Sequence, residues 1–254
     1  MADDLARRAA RKVRRLVAGP PPQHNMREHP GELYYYEQYV RVLGPHLSGR
    51  VLDVGCQYGR FAIPLAQQGA QVVATDLDQA CLTYVKEQSP TVETRLEPVA
   101  ETIRTGGVFD AVLCLEVLYL VPEWEQVVAG LGGLLAPEGR LAVSHRSQGY
   151  LVHRLLREKR YDELDQVLAG THPQLNGQTP EQLEIAYAAA GLVVESIVPI
   201  GPLSGIEVDP FAAVTDPATL SDRDREALLR FETDPALQAR FRDSARYLLV
   251  VARR

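Results

Sequence analysis

Cysteine is scarce in this chain: three in 254 residues, at positions 56, 81 and 114. The number is odd, and no Cys-x-x-Cys pair or Cys/His cluster accompanies it, which argues against structural disulfides and against zinc. The expectation is a reduced, cytoplasmic protein that needs no metal. Long apolar runs are also missing. None reaches the roughly 18 residues of a membrane-spanning helix, and no charged-then-apolar leader with a cleavage site opens the sequence. Positive charge is in deficit, with a formal net charge of −6. That excludes broad binding to the phosphate backbone of DNA and disfavours RNA, and no aromatic-basic stripe suited to stacking bases is present. The exception is a basic cluster of Arg7, Arg8, Arg11, Lys12, Arg14 and Arg15 at helical spacing. It reads more readily as a solvated helix than as a contact for RNA or an anionic membrane. The sequence Gly19-Pro20-Pro21-Pro22 follows it as a stiff hinge.

What is present suffices for one sizeable core, because 46% of the residues are hydrophobic. The informative segment is VLDVGCQYGRFAIPLAQQGAQVVATDLD, residues 51–78. Val51, Leu52 and Val54 make a short buried strand in which Asp53 is the polar residue. Gly55 and Gly59 flank Cys56, Gln57 and Tyr58, and glycine is used where a backbone takes positive φ or approaches a ligand. Phe61, Ile63, Leu65 and Ala66 then give a short helix stopped at Gly69. A second buried strand, 70–75, ends at Asp76, which lies 23 residues after Asp53. A strand, a glycine turn, a helix and an acid ending the next strand at about this distance describe a nucleoside site, the acid accepting from ribose hydroxyls. A dinucleotide fits poorly. Its G-x-G-x-x-G turn needs glycine where this chain has Gln57 and Arg60.

The run Asp53-Val54-Gly55-Cys56-Gln57-Tyr58-Gly59 resembles motif I, D/E-x-G-x-G-x-G, of the class I S-adenosylmethionine-dependent methyltransferases. The resemblance implies that residues 53–59 wrap the methionine end of S-adenosylmethionine. It implies that Asp76 takes the ribose, that Leu77 lies against adenine, and that Glu97 stands near the adenine amino group. The loop 116–120, past the fourth strand, would pass beneath the sulfonium and face the substrate, and Leu115, which ends that strand, is a candidate cofactor contact. Gln57 departs from the family glycine, so either its backbone keeps negative φ or its amide contacts the ligand. Loss of the cofactor site is the remaining alternative.

Later segments continue the alternation of strand and helix. Residues 78–88 read as a helix capped by Asp78, 92–96 as a strand, 109–115 as a strand, 122–135 as an amphipathic helix and 140–144 as a fifth strand. Thr179, Pro180 and Gln182 open a helix that Gly191 closes, with strands at 192–200 and 247–252. Such alternation argues for a Rossmann-like, doubly wound α/β fold with helices on both faces of a mostly parallel sheet. Seven strands, with the last antiparallel and inserted between the fifth and sixth, are implied by the resemblance.

Three additions to the sheet are candidates for specificity. Residues 1–47 form an N-terminal helical cap, with Tyr34, Tyr35 and Tyr36 in a stretch that reads as a helix against the sheet; Tyr36 is a candidate cofactor contact. Lid insertions at about 148–178, with a helix at 150–168, and at 201–244, helical from Ser221, interrupt the domain that spans 48–254. Methyl transfer from a sulfonium needs alignment and exclusion of water, and a base where the acceptor holds a proton. His145 is the best-placed base by chain position, with Glu116 and Tyr119 next and His153 and His172 outside them. For each, a polar residue without a chemical role is the plain alternative. No Asn-Pro-Pro-Tyr or Asp-Pro-Pro-Tyr tetrapeptide follows the fourth strand, where the chain reads Leu115-Glu116-Val117-Leu118. Such a tetrapeptide marks the base- and amide-methylating members of the family that the chain resembles, so the resemblance implies, as the expected activity, S-adenosylmethionine-dependent transfer of a methyl group to oxygen or nitrogen of a small organic acceptor, leaving S-adenosylhomocysteine. It resembles that of ubiquinone-biosynthesis-type and natural-product enzymes. Methylation of RNA or protein, or a catalytically inactive cofactor-binding partner protein, are the alternatives. A homodimer is compatible with this reading, and nothing in the sequence selects it.

Overall fold

The computed structural model describes residues 30–44, 47–205, 211 and 214–254. The basic cluster at 7–15 and the hinge at 19–22 lie outside the described residues, as does most of the expected N-terminal cap. Strands β1 (Arg50–Val54), β2 (Gln71–Asp76), β3 (Glu93–Leu96), β4 (Phe109–Cys114), β5 (Leu135–Arg146), β6 (Val193–Ile200) and β7 (Tyr247–Arg253) form one sheet. Its order is β3-β2-β1-β4-β5-β7-β6. The first five strands pair in parallel, and β7 runs antiparallel between β5 and β6. Strands covered on both faces carry near-continuous apolar sequence, and β1, β4 and β7 are buried along nearly their whole lengths.

Ten α-helices are found among the described residues: α1 (Pro30–Leu43), α2 (Ala62–Gln67), α3 (Gln79–Gln88), α4 (Val99–Thr105), α5 (Trp124–Gly132), α6 (Gln148–Arg157), α7 (Leu164–Leu168), α8 (Pro180–Ala189), α9 (Asp222–Glu232) and α10 (Pro235–Phe241). One core cluster gathers Tyr34, Tyr35, Tyr39 and Leu43 of α1 with Leu65 of α2 and Leu82 and Val85 of α3. A second gathers Trp124, Val128 and Leu131 of α5 with Leu183 and Tyr187 of α8, and a third, smaller one gathers Tyr150, Leu151, Leu155, Val167 and Phe211. No helix among the described residues is long and apolar enough to cross a membrane.

Local signals account for several boundaries. Asp78 caps α3 by accepting from Ala80 N–H at 2.8 Å. Thr179 and Gln182 form the reciprocal capping box of α8, with Pro180 in its first turn. Two expectations need correction, and one helix was not anticipated. The helix read at 150–168 is two helices, because a left-handed Lys159 (φ 58°) ends α6 while Arg160 N–H closes back on Leu155 O at 2.9 Å. Helix α4 was not legible in the sequence, since a seven-residue element with one buried side chain, Thr102, leaves no apolar stripe. Helix α5 is shorter than 122–135, because β5 already starts at Leu135; its register on β4 shifts between the pairs Phe109–Leu135 and Ala111–Arg140, where Glu138 is left-handed (φ 65°).

The additions around the sheet pack on one another. Glu232, at the end of α9, is 1% exposed. It accepts from Gln38 Nε2 of α1 at 2.7 Å, Leu203 N–H at 2.8 Å, Ser204 Oγ at 2.9 Å and the Tyr34 hydroxyl. One carboxylate thereby ties α1 to the segment after β6. Likewise Ser147 Oγ donates to Asp243 O at 2.8 Å, and Tyr150 meets the ring of Phe211 at 5.9 Å, joining the two insertions.

Candidate active site

The order of strands reverses between β1 and β4, and the crevice at their carboxyl ends is where open α/β sheets bind ligands. A cleft lies there, lined by Asp53, Gly55, Cys56, Gln57, Arg60, Phe61, Leu115 and Glu116. Its first wall is the turn after β1. Gly55 (φ 71°), Gln57 (φ 47°) and Gly59 (φ 77°) are all left-handed. Gly55 and Cys56 N–H both donate to Thr75 O, at 2.8 and 3.0 Å, which fixes the turn to β2. A Cβ at Gly55 would lie 2.5 Å from Val117 Cγ2, so the position demands glycine for space as well as for φ. Negative φ at Gln57, one of the two sequence expectations, is overturned. This residue holds the glycine-like conformation, and its N–H donates to Asp76 Oδ2 at 2.8 Å.

Asp76 ends β2 facing the turn. Its other oxygen accepts from Asp78 N–H at 2.9 Å, so each oxygen keeps a lone pair for further donors. Burial raises its carboxyl above the usual range, with those N–H groups opposing. Beside it Leu77 is 54% exposed, an apolar surface open to a flat ligand. Glu97 N–H bonds Asp76 O at 3.1 Å, and its Oε1 is buried without a hydrogen-bond partner. Asp53, 3% exposed beneath the turn, accepts from Ala62 N–H at 3.1 Å. Burial pushes its carboxyl up to about 7, with Arg60 pulling the other way. Tyr58 turns to the ring of Tyr84 at 5.6 Å, and the Cys56 thiol is buried and raised out of the range where it ionises.

The second wall follows β4. Glu116 is left-handed (φ 59°), and its N–H donates to Ser144 Oγ at 2.5 Å. Its carboxylate pairs with Arg60 at 3.2 Å. Burial would raise it, but Arg60, Arg246 and Arg146 outweigh burial and hold it below the ordinary carboxylate range. Arg60 lies over the rings of Tyr39 and Phe61 at 5.9 and 5.2 Å, and Tyr36 meets Phe61 at 5.3 Å. Helix α1 thus brings Tyr36 beside the cleft wall. Tyr119 packs against Tyr247 at 6.2 Å, with the Arg146 guanidinium 4.9 Å above its ring.

The histidines are elsewhere. His145 is 1% exposed in the core shared with α5 and α8, its Nε2 within 2.9 Å of the Tyr187 hydroxyl and its ring 5.1 Å from Trp124. Burial lowers it to about 3, with Gln178 opposing, so the ring stays neutral. The structure does not bring it to the cleft: alternate residues of β5 face opposite sides, which chain position alone leaves undecided. His153 packs on Phe211 at 5.3 Å, and His172 on Glu163 at 2.7 Å within the first insertion. Arg60, Tyr39, Ser144, Arg146 and Arg246 escaped the sequence reading. Arg60 alone carried a signal, its place directly after Gly59.

A family model described as a methyltransferase domain matches residues 1–197 of the chain. The chain belongs to this methyltransferase family. A ubiquinone biosynthesis O-methyltransferase from Xylella fastidiosa is 30% identical to this methyltransferase over 190 residues, 73% of this chain and 74% of the relative. One from Xanthomonas axonopodis pv. citri is 28% identical over 205 residues, covering 78% and 81%. Among solved structures, an S-adenosylmethionine-dependent methyltransferase from Mesorhizobium loti aligns with a TM-score of 0.58 at 18% identity, over 87% of this chain and 98% of that one. The magnesium protoporphyrin IX methyltransferase of Synechocystis, solved with bound S-adenosylhomocysteine, aligns at 0.56 and 17% identity, over 95% and 92%. Both share the fold of this methyltransferase.

Proposed function

We propose that this methyltransferase transfers the methyl group of S-adenosylmethionine to oxygen or nitrogen of a small organic acceptor. The observation that carries the reading is the left-handed turn Gly55–Gln57–Gly59 facing the Asp76 carboxylate beside the sheet's switch point. The residues present fit the cofactor. Asp76 keeps lone pairs for the ribose, Leu77 offers an apolar face for adenine, and Glu97 Oε1 is a buried acceptor awaiting a donor. Asp53 would meet the amino group of the methionine end. The bound cofactor supplies an electrophilic methyl on a sulfonium.

The chain's own residues orient the acceptor and exclude water. Glu116, below its ordinary range and paired with Arg60, is a poor proton acceptor and serves to order the second wall. His145, neutral and outside the cleft, takes no part in this scheme, and Tyr119 shapes the acceptor side. Helix α1, as part of a cap at 1–47, and the insertions at about 148–178 and 201–244 enclose the acceptor. The same reading has a cytoplasmic protein acting on a free small molecule rather than on DNA or RNA, as the names of its relatives favour.

Calorimetric titration with S-adenosylhomocysteine tests the proposal. Micromolar binding is expected, weakened at least tenfold in Asp76→Asn, where an amide N–H₂ replaces an acceptor oxygen. Wild-type protein that takes up no S-adenosylhomocysteine would end it.

A further inference from the structure

Beyond Glu116, at the carboxyl end of β5 and the amino end of the antiparallel β7, an arginine stands in an aromatic cage. The Arg146 guanidinium lies 4.0 Å from the ring centroid of Tyr247, 4.6 Å from Tyr150 and 4.9 Å from Tyr119. Its Nη2 donates to the Tyr247 hydroxyl at 2.6 Å, while its Nη1 is buried with no hydrogen-bond partner. A buried guanidinium N–H left unmade is costly, and such a group is completed by a water, an ion or a ligand. The hydroxyl of Tyr39, which stacks under Arg60 on the Glu116 side, is also buried without a partner. Charge points the same way. Arg60, Arg146 and Arg246 all act on the carboxylate of Glu116, and Arg60 pairs with it at 3.2 Å.

From this geometry we propose that the methyl acceptor carries a carboxylate, bound by Arg146 inside the cage of Tyr119, Tyr150 and Tyr247. The proposal rests on the methyltransferase reading and names the substrate class for it. A guanidinium edge matches a planar carboxylate, and the surrounding rings exclude water, which strengthens the charge-assisted bond. A singly charged group fits better than a phosphate, whose second charge would face Glu116 with few donors to meet it. The half-buried rings of Tyr36 and Tyr119 give the rest of the acceptor a flat apolar surface. Arg146 sets which molecules enter, and the carboxylate is the handle by which the reacting atom is aligned.

The probes are benzoate and phenylacetate, each paired with its uncharged amide, titrated by ligand-observed NMR with and without saturating S-adenosylhomocysteine. Both acids are expected to bind at least tenfold more tightly than benzamide and phenylacetamide. Arg146→Gln should abolish that preference, Arg146→Lys should restore part of it, and Tyr247→Phe, which removes one hydroxyl, should weaken it. S-adenosylhomocysteine affinity should be unchanged in all three. If Arg146→Gln does not fold, Tyr247→Phe and the acid–amide comparison on the wild type still decide. Equal binding of acids and amides, no binding of either acid, or a preference that survives Arg146→Gln overturns the assignment. Failure of S-adenosylhomocysteine itself to bind counts against the methyltransferase reading instead, and is read in a separate titration.

Discussion

Asp53 and His145 are both buried to within a few per cent of full enclosure, and burial drives them in opposite directions. The Asp53 carboxyl is raised from its ordinary value to about 7. The folded state therefore holds a proton that the unfolded chain releases, and stability falls as pH climbs from about 4 to about 7. Asp53→Asn should gain stability at pH 8, on the order of 2 kcal/mol, with little gain at pH 4. Thermal melts across that range check it, and an equal gain at both pH values would contradict the assignment. The same variant should bind S-adenosylhomocysteine poorly, because a neutral amide does not attract the ligand's ammonium. His145 carries the reverse linkage. Its folded value of about 3 lies below the ordinary 6.5, so stability is complete above 6.5 and drains as pH falls toward 3. His145→Ala leaves a cavity and an unpaired Tyr187 hydroxyl, which should cost about 2–4 kcal/mol. Denaturant unfolding measures that loss, while S-adenosylhomocysteine affinity should stay at the wild-type value. A fully stable His145→Ala with lost turnover would return the residue to the chemistry.

Elements meet at Glu232. Its carboxylate receives donors from α1, from Leu203 and from Ser204, and burial holds its carboxyl above the ordinary range against those donors. Glu232→Ala orphans several buried donors at once, and the expected loss is on the order of 3 kcal/mol. Because the hub joins α1 to the segment after β6, hydrogen exchange should rise first in those two pieces and leave β1 and β4 protected. Uniform exchange across the sheet would show that α1 is not a separate unit of stability. The capping residues Asp78, Thr179 and Gln182 were readable along the chain, because a cap is a contact between near neighbours. The hub was not, since Gln38 and Glu232 are 194 positions apart.

At the scale of the molecule, a ligand that bridges the turn after β1, the end of β2 and the loop after β4 stabilises the sheet as one body. At one hundred times its dissociation constant S-adenosylhomocysteine should add about 2.7 kcal/mol, raising the melting temperature by roughly 5–10 °C. Differential scanning fluorimetry tests this, and the shift should shrink in Asp76→Asn. A wild-type melting curve unmoved by the ligand would contradict binding at the switch point.

The sequence by itself determined the strands, their alternation with helices and the glycine turn with its acid, because each is written in neighbours within about 25 residues of one another. It also held the antiparallel last strand, by likeness to a family rather than by periodicity. Tertiary structure decided which face of β5 His145 occupies, the left-handed backbone at Gln57, and the meeting of Arg60, Arg146, Arg246 and Glu116. Those outcomes depend on side chains from distant strands sharing one crevice, and on a pleat whose sense is fixed only when the sheet and its two helical layers have closed.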